Sequence, residues 1–235
     1  MALQRSTQPE LMDATDLPNL VDLKNNLRDI ARYNTLLGAN ALMLRLVRTV
    51  LGARFIARHL GDIWHLHALD IGIGSGDFIA YTSHRLPSTW VGLDLSPQIL
   101  SIARTIKKKL LSNCVNADAT RLPFEDGSFD VATCALTLHH LQPEQAVMLF
   151  RECARVCRQG FAMVDFQRSY LGLAGSWLLT RLTSTNVFTR NDGVQSIRRA
   201  YTIAEARALL AEAGLPNAKV RSRTPIRYSI VWRKA

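Results

Sequence analysis

ALDIGIGSGDFIA, at residues 68–80, predicts a buried strand, a glycine-rich turn and the start of a helix. The apolar run ends in Asp70, and three glycines alternate directly after it, at Gly72, Gly74 and Gly76. Glycine allows a sharp turn and a close approach of the backbone to a ligand where a Cβ would collide. We therefore expect the turn to lie against a bound ligand.

The segment VGLDLS, at residues 91–96, supplies an acid that matches this turn. It predicts a second short strand ending in Asp94, twenty residues after Gly74. An acid at the tip of the second strand can accept both hydroxyls of a ribose. In an ordinary strand–turn–helix the glycines would serve packing alone, but the matched acid favours a nucleoside site. NAD-dependent enzymes carry GxGxxG, whereas these glycines follow GxGxG.

Residues 116–141, NADATRLPFEDGSFDVATCALTLHHL, continue the alternation. Asp118 follows a third short strand, and a fourth strand begins at Phe129-Asp130. Strands and helices thus alternate from about residue 66 to 166, as a parallel doubly wound sheet requires.

Together these three segments resemble the class I S-adenosylmethionine-dependent methyltransferases, especially the small-molecule branch that includes the ubiquinone and menaquinone C-methyltransferases. The resemblance covers roughly residues 65–166. It implies an α/β fold with a doubly wound, mostly parallel seven-stranded sheet, N-terminal helices and a lid inserted after the fifth strand. It also implies S-adenosyl-L-methionine as the cofactor.

The resemblance further implies a role for each matching residue. It assigns the segment from Asp70 to Gly76 to the methionine end of the cofactor. Asp94 would hold the ribose, and Leu95 would lie against the adenine. Ala135 and Leu136, just after the fourth strand, would border the reactive sulfonium.

Asp118 and Ala119 are the implied contacts of the adenine edge. By resemblance, Asp118 would accept a hydrogen bond from the adenine amino group, and Ala119 would donate a backbone N–H nearby. The alternative for Asp118 is a turn acid that caps its own loop.

Three side chains are candidates for removing a proton from the methyl acceptor. His139 and His140 follow the fourth strand at the carboxyl edge of the sheet, where ligands bind in such folds. An imidazole with an unperturbed pKa near ~6.5 suits general base catalysis at neutral pH. We expect only one of the two to face the pocket, and the alternative is that they fix the loop. Asp165 is the other candidate, with a capping role as its alternative.

Capping residues, prolines and glycines predict the boundaries of the helices that flank the strands. Ser96 is expected to cap a helix that begins at Pro97. A second helix is expected from Pro143 to a terminal glycine, Gly160, followed by a fifth strand over residues 161–166.

We expect one domain with four segments. Residues 1–64 form a helical cap of two helices over the cofactor pocket, and residues 65–166 form the cofactor-binding core. Residues 167–200, rich in leucine and aromatic side chains, form a substrate lid, and residues 201–235 form a closing helix and two antiparallel strands. Within the lid, Arg198 and Arg199 either clamp an anionic acceptor or lie on a solvated surface.

Charge divides unevenly along the chain. Residues 1–150 hold 14 basic and 14 acidic side chains, and residues 151–235 hold 15 and 5, so the net charge of +10 lies in the second part. A nucleic acid, an anionic membrane surface or an acidic substrate would fit this charge, as would a solvated surface without a partner. The arginines lack the interleaved aromatic residues of single-strand binders, so no nucleic acid partner is expected. Peripheral contact with an anionic membrane stays open.

Several other classes of protein lack support in this chain. The four cysteines form no CxxC pair, which favours reduced thiols in a cytoplasmic protein and no metal site. No tyrosine has lysine four residues later, as a short-chain dehydrogenase would need, and no proline precedes cysteine, as in cytosine C5 methyltransferases.

The sequence therefore predicts a methyltransferase that acts on a hydrophobic or aromatic small molecule. Oxygen is the favoured acceptor atom, in a phenol or a polyketide-type metabolite. The alternatives are methylation at carbon or nitrogen of a quinone precursor or another metabolite, and a cofactor-binding protein without turnover.

Overall fold

A seven-stranded sheet forms the centre of the molecule. The computed structural model describes residues 3–13, 19–59, 65–106 and 113–234, and it describes residues 53–59 by their backbone only. The strands are β1 Leu66–Ile71, β2 Ser88–Asp94, β3 Cys114–Asn116, β4 Phe129–Ala135, β5 Cys157–Phe166, β6 Lys219–Thr224 and β7 Arg227–Arg233.

The strand order is β3-β2-β1-β4-β5-β7-β6. Strands β1 to β5 pair in parallel, and β7 runs antiparallel to both β5 and β6. The predicted α/β class and the mostly parallel seven-stranded sheet are confirmed. Because β1 lies between β2 and β4, the chain crosses over after β3, and the carboxyl ends of β1, β2 and β4 meet at the crevice where open α/β sheets bind ligands.

Eight helices surround the sheet in the described residues. They are α1 Leu20–Leu36, α2 Ala39–His59, α3 Asp77–Thr82, α4 Pro97–Ile106, α5 Pro143–Val156, α6 Tyr170–Thr183, α7 Val187–Arg199 and α8 Ile203–Glu212. Ser96 caps α4 as predicted, since its Oγ accepts from the backbone N–H of Ile99 at 3.3 Å. Parts of the predicted cap, residues 1–2, 14–18 and 60–64, lie outside the described residues.

Both faces of the sheet are buried. In β1, Leu69 and Ile71 pack into the core cluster shared with α5 and α8, whereas Leu66 and Ala68 pack into the cluster shared with α2, α3 and α4. This alternation explains why β1 is an almost continuous apolar run, as expected of a parallel strand covered on both sides.

The predicted boundary between α5 and β5 was wrong. Helix α5 ends at Val156, and β5 begins at once with Cys157, so Gly160 lies inside the strand. A Cβ on Gly160 would lie 2.1 Å from the carbonyl oxygen of Trp232 in β7. Glycine is therefore required here for close approach of a neighbouring strand and not for ending a helix.

The segment after β5 forms the helical pair α6 and α7. An N-terminal segment, residues 3–13, ends in a short 3-10 helix at Leu11–Asp13. It lies against α7, with the backbone N–H of Ser6 donating to the carbonyl of Arg198 at 2.9 Å. Among the described residues, no single helix is long and apolar enough to cross a bilayer. Helix α1 and α2 up to Gly52 meet that test only as a pair bent by 65°.

Candidate functional site

The glycine turn after β1 has the geometry of a close-approach loop. Gly72, Gly74 and Gly76 adopt positive φ values of 68°, 53° and 69°. A Cβ on Gly72 would lie 2.0 Å from Oγ1 of Thr137, so this glycine is needed for packing. A Cβ on Gly74 would meet only Leu27 of α1, at 4.0 Å. The loop therefore leaves open space beside Gly74, which fits the approach of a ligand to the backbone.

Asp94, at the end of β2, faces this loop. Its carboxylate accepts from the backbone N–H of Gly74 at 3.3 Å and from that of Ser96 at 3.0 Å. Burial raises the pKa of Asp94, against the lowering effect of these hydrogen bonds. The acid and the glycine that the sequence pairs across twenty residues are thus in contact.

Asp70 is buried directly beneath the loop. Its carboxylate accepts a hydrogen bond of 2.7 Å from Oγ1 of Thr133 on β4. Burial raises its pKa to about 7, although the bond from Thr133 opposes this shift. A cationic group bound nearby would favour the ionised carboxylate.

The adenine end of the predicted site is more open. Leu95 is 70% exposed, which leaves its side chain free for a flat ligand. Asp118 accepts from the backbone N–H and the hydroxyl of Thr120, both at 2.8 Å, so it does cap its own loop, next to the half-buried Ala119. Asn116, which the sequence reading missed, donates to the carbonyl of Leu95 at 2.7 Å and so holds that residue in place.

The turn after β4 is strained. Leu136 has a φ of 53°, a left-handed value that is uncommon for a residue with a branched side chain, and its N–H donates to Val164 at 2.9 Å. Ala135, just before it, accepts from Thr137 at 3.1 Å. Such strain is typical of functional turns, and here it brings the chain back against Gly72.

The N-terminal helices hold the far side of the glycine loop. Asn40 of α2 and Asn34 of α1 donate to the carboxylate of Asp77 at 3.0 and 3.4 Å. Asp77 opens α3, directly after Gly76. Helices α1 and α2 thus lie over the start of α3, beside the glycine loop.

His139 is buried and bonded at both ring nitrogens. Its Nδ1 lies 2.7 Å from the carboxylate of Asp165, and its Nε2 lies 3.3 Å from that of Glu10. Burial alone would lower the pKa of His139, but the charge of Asp165 and its bonds to both carboxylates raise it to about 10. The imidazole is therefore protonated at neutral pH and positions the loop.

His140 is the more accessible of the two imidazoles, with a side chain 20% exposed. Its Nδ1 lies 2.8 Å from the carboxylate of Asp13, and its Nε2 lies 3.8 Å from Glu10, beyond hydrogen-bond distance. In its protonated form it would lower the pKa of Asp94, against the larger effect of burial. One ring nitrogen of His140 is thus held by a carboxylate, and the other has no hydrogen-bond partner among the described residues.

The sequence reading missed Glu10 and Asp13. Burial raises the pKa of Glu10, but the charges of His140 and His139 outweigh it and hold that pKa below its usual range. Both acids stand on an N-terminal segment with no recognisable motif, so no local signal pointed to them. Arg199 is buried and donates to the carbonyl of His140 at 2.6 Å. Arg199 therefore holds the loop that carries the two histidines, whereas the sequence predicted a solvated side chain or one that clamps the acceptor.

Glu10, His139 and His140 also form a group whose potential ligand atoms lie within 4.8 Å of one another, which is close enough for a metal ion. Glu10 Oε1 and both nitrogens of His139, however, already have partners of opposite charge in the structure. The hydrogen-bonded contacts account for the arrangement, and we treat it as a charged cluster around the two histidines.

Comparisons with known sequences agree with the predicted resemblance. A family described as "Methyltransferase domain" matches residues 68–160. The demethylmenaquinone methyltransferase of Deinococcus radiodurans is 43% identical over 70 residues, or 28% of this chain and 29% of that protein. That of Roseiflexus sp. is 34% identical over 115 residues, or 47% of this chain and 48% of that protein. The chain therefore spans about half or less of the length of these curated relatives.

Solved structures share the fold at low sequence identity. The plantazolicin methyltransferase BpumL, in complex with SAH, superposes with a TM-score of 0.67 at 13% identity, covering 96% of this chain and 93% of that one. Human N-acetylserotonin methyltransferase, in complex with SAM, gives 0.63 at 15% identity, covering 98% and 64%. These likenesses concern the fold alone. The match of the methyltransferase family to residues 68–160 confirms the resemblance that the sequence motifs indicate.

Proposed function

We propose that this chain, which carries a class I S-adenosylmethionine-dependent methyltransferase domain at residues 68–160, methylates the oxygen of a hydrophobic or aromatic small molecule such as a phenol. The observation that carries the proposal is the pair of His140 and Asp13. Nδ1 of His140 lies 2.8 Å from the carboxylate of Asp13, and its Nε2 has no hydrogen-bond partner among the described residues, with Glu10 at 3.8 Å. A phenol is the acceptor class that needs such a base.

The cofactor half of the site supplies binding and orientation. S-Adenosylmethionine brings a methyl group already activated on a sulfonium. The glycine turn from Gly72 to Gly76 would support the methionine portion, and ionised Asp70 would balance its positive charge. Asp94 would accept hydrogen bonds from the ribose hydroxyls, Leu95 would cover one face of the adenine, and Asp118 with Ala119 would lie at its edge. Ala135 and Leu136 would border the methyl group.

The acceptor half of the site supplies a base. Asp13 accepts the Nδ1–H of His140, which leaves Nε2 as the nitrogen that takes the phenolic proton. His139 is protonated, and its contacts with Asp165 and Glu10 fix the position of the loop that carries both histidines. Asp165 therefore acts through His139 as a positioning residue. Alignment of the acceptor oxygen with the methyl–sulfur bond supplies much of the remaining rate enhancement.

A screen of acceptors tests this function. The purified chain is incubated with S-adenosylmethionine and a panel of alkyl phenols, each paired with its O-methylated counterpart. We expect S-adenosylhomocysteine to form with the phenols and not with the methylated controls, and nuclear magnetic resonance to show a new methoxy group. Cofactor binding without product from any acceptor would leave a binding protein without turnover.

Methylation at carbon of a quinone precursor is the second candidate. The observation that favours it is the similarity of the cofactor-binding region to demethylmenaquinone methyltransferases. The same screen, extended to naphthoquinols and anilines, separates the outcomes, because a ring methyl, an N-methyl and a methoxy group give different spectra.

The cysteines and the exposed side chains indicate the compartment and the type of partner. Cys134, Cys153 and Cys157 are buried free thiols, which is typical of a reducing compartment such as the cytoplasm. We propose no nucleic acid partner, because the exposed side chains around the lid are leucine and tryptophan as well as arginine.

A further inference from the structure

Helix α6 exposes an apolar face. Leu171, Leu178 and Leu182 recur at intervals of seven and four residues, so they form one stripe along the helix. They are 61%, 52% and 74% exposed. Tyr170 and Trp177 form the adjoining stripe, and they are 62% and 50% exposed. A contiguous exposed stripe of this kind marks an interaction surface.

The opposite face of α6 is tightly packed on α7. A Cβ on Gly193 of α7 would lie 2.7 Å from a methyl carbon of Thr180, and one on Gly172 would lie 3.1 Å from Ile197. Ser176 also donates a short hydrogen bond to the carbonyl of Gly193. Because α6 is anchored through its small residues, the leucine stripe faces away from the body of the protein.

A cationic groove borders the apolar stripe. It encloses about 410 Å³ and is lined by Trp177, Val187 and three arginines, Arg181, Arg190 and Arg198. The guanidinium of Arg181 lies 4.9 Å from the centre of the Trp177 ring, and Arg190 donates to the carbonyl of Ser184 at 2.7 Å. In the part of the chain that the structure describes, none of these arginines forms an ion pair with an acidic side chain.

We propose that α6 and this groove dock on the surface of a bilayer that contains anionic phospholipid. The leucine stripe of Leu171, Leu178 and Leu182 enters the boundary between headgroups and acyl chains, Trp177 lies at the headgroup level, and the three arginines bind lipid phosphates. This proposal rests on the proposed function, since a hydrophobic acceptor would partition into the same bilayer and enter the site beside the lid.

Charge complementarity favours a membrane over a second copy of the chain. Two copies joined through α6 would bring two sets of unpaired arginines together, and like charges oppose such an interface. An anionic surface neutralises the same arginines. The charge of residues 151–235, with 15 basic and 5 acidic side chains, adds long-range attraction of the same sign.

Vesicle flotation tests the proposal with the full chain. Vesicles of phosphatidylcholine mixed with phosphatidylglycerol should bind the protein, and vesicles of phosphatidylcholine alone should bind it far more weakly. Added salt should weaken binding to the mixed vesicles. The double variant Arg181→Gln/Arg198→Gln should bind about five-fold more weakly for each charge removed. Leu178→Gln/Leu182→Gln should lose binding even at low salt.

Matched controls lie on other elements. Lys219→Gln/Arg221→Gln removes two exposed charges from the edge strand β6, and Met148→Gln removes an exposed apolar side chain from α5. Both variants should bind vesicles within about two-fold of the unchanged protein, since neither lies on the surface formed by α6 and the groove. Equal loss in control and α6 variants would overturn the assignment of this surface.

Two further readouts separate the possible failures. Cofactor affinity and turnover of a water-soluble phenol should be unchanged in the α6 variants, so loss of vesicle binding alone leaves the proposed function intact. Light scattering gives the oligomeric state. A dimer that Leu178→Gln/Leu182→Gln converts to a monomer, without vesicle binding, would overturn the proposal in favour of a second copy.

Discussion

The cofactor half and the acceptor half of the site are built in different ways. In the cofactor half, the carboxylate of Asp94 contacts Gly74, twenty residues away, within one strand–helix–strand unit. In the acceptor half, His140 contacts Asp13 across 127 residues, through an N-terminal segment outside the sheet. The first half is local in sequence, whereas the second exists only after the chain has folded over itself.

This difference separates binding from chemistry. The cofactor loop depends on backbone conformation, which glycines specify directly. The state of the histidines depends on carboxylates brought from elsewhere, which hold His139 protonated and leave His140 with one accessible nitrogen. Substitutions in one half should therefore leave the other half working, and four measurements test that separation.

Replacing His140 should break the acceptor half with the largest effect. His140→Ala removes the proposed base and should lower kcat for a phenol by about 10² to 10⁴-fold, with cofactor affinity within a few fold. Asp13→Asn should lower kcat by a smaller factor, because it only positions the ring. The exposed His84→Ala serves as a control. Near-normal kcat in His140→Ala would remove this base from the mechanism and leave alignment as the source of catalysis.

Replacing Asp94 should break the cofactor half alone. Asp94→Ala removes a charge-assisted hydrogen bond, a loss of roughly 1.5 to 3 kcal/mol, so affinity for S-adenosylmethionine should drop at least tenfold by calorimetry. Asp118→Ala makes an informative comparison. If Asp118 only caps its loop, the affinity of its variant for S-adenosylmethionine should stay within a few fold of that of the unchanged protein. A loss of affinity equal to that of Asp94→Ala would assign Asp118 to adenine binding.

The pH dependence of cofactor binding sharpens the role of Asp70. Its raised pKa of about 7 means that the carboxyl is increasingly protonated below pH 7, so it loses the charge that balances the cofactor. Affinity should fall by up to about tenfold for each pH unit below 7. Thr133→Val removes the bond that lowers this pKa and should move the fall to higher pH. Asp70→Asn should bind more weakly and show a flat profile in this range.

The stability of the acceptor half should depend on pH through His139. Its pKa in the folded chain, about 10, lies above the unfolded value near 6.5. The stabilisation is therefore complete below about pH 6.5 and is lost as the pH rises through 10. The thermal midpoint should fall over that range, by roughly 2 to 4 °C for each kcal/mol lost. Glu10→Gln removes one of the groups that raise the pKa and should flatten this decline. An unaltered decline would contradict the role assigned to Glu10.

The fold could be predicted from the sequence where short-range patterns control it. Apolar runs and turn or capping residues predict the strand that contains Asp70, the strand that ends in Asp94, the cap at Ser96 and the closing antiparallel pair. The junction at Gly160 could not be predicted, because the same residue that ends helices also permits the close approach of Trp232 in β7. A glycine carries no information on which contact it serves.

The two halves of the site therefore have different origins. The order of residues along the chain specifies the glycine turn and its paired acid, because backbone preference and strand length act over a few residues. Only the folded chain specifies that His139 is protonated, since a pKa depends on charges and burial within a few ångströms in space. Glu10 and Asp13 reach those positions through an N-terminal segment held by α7. That placement results from the packing of the whole molecule.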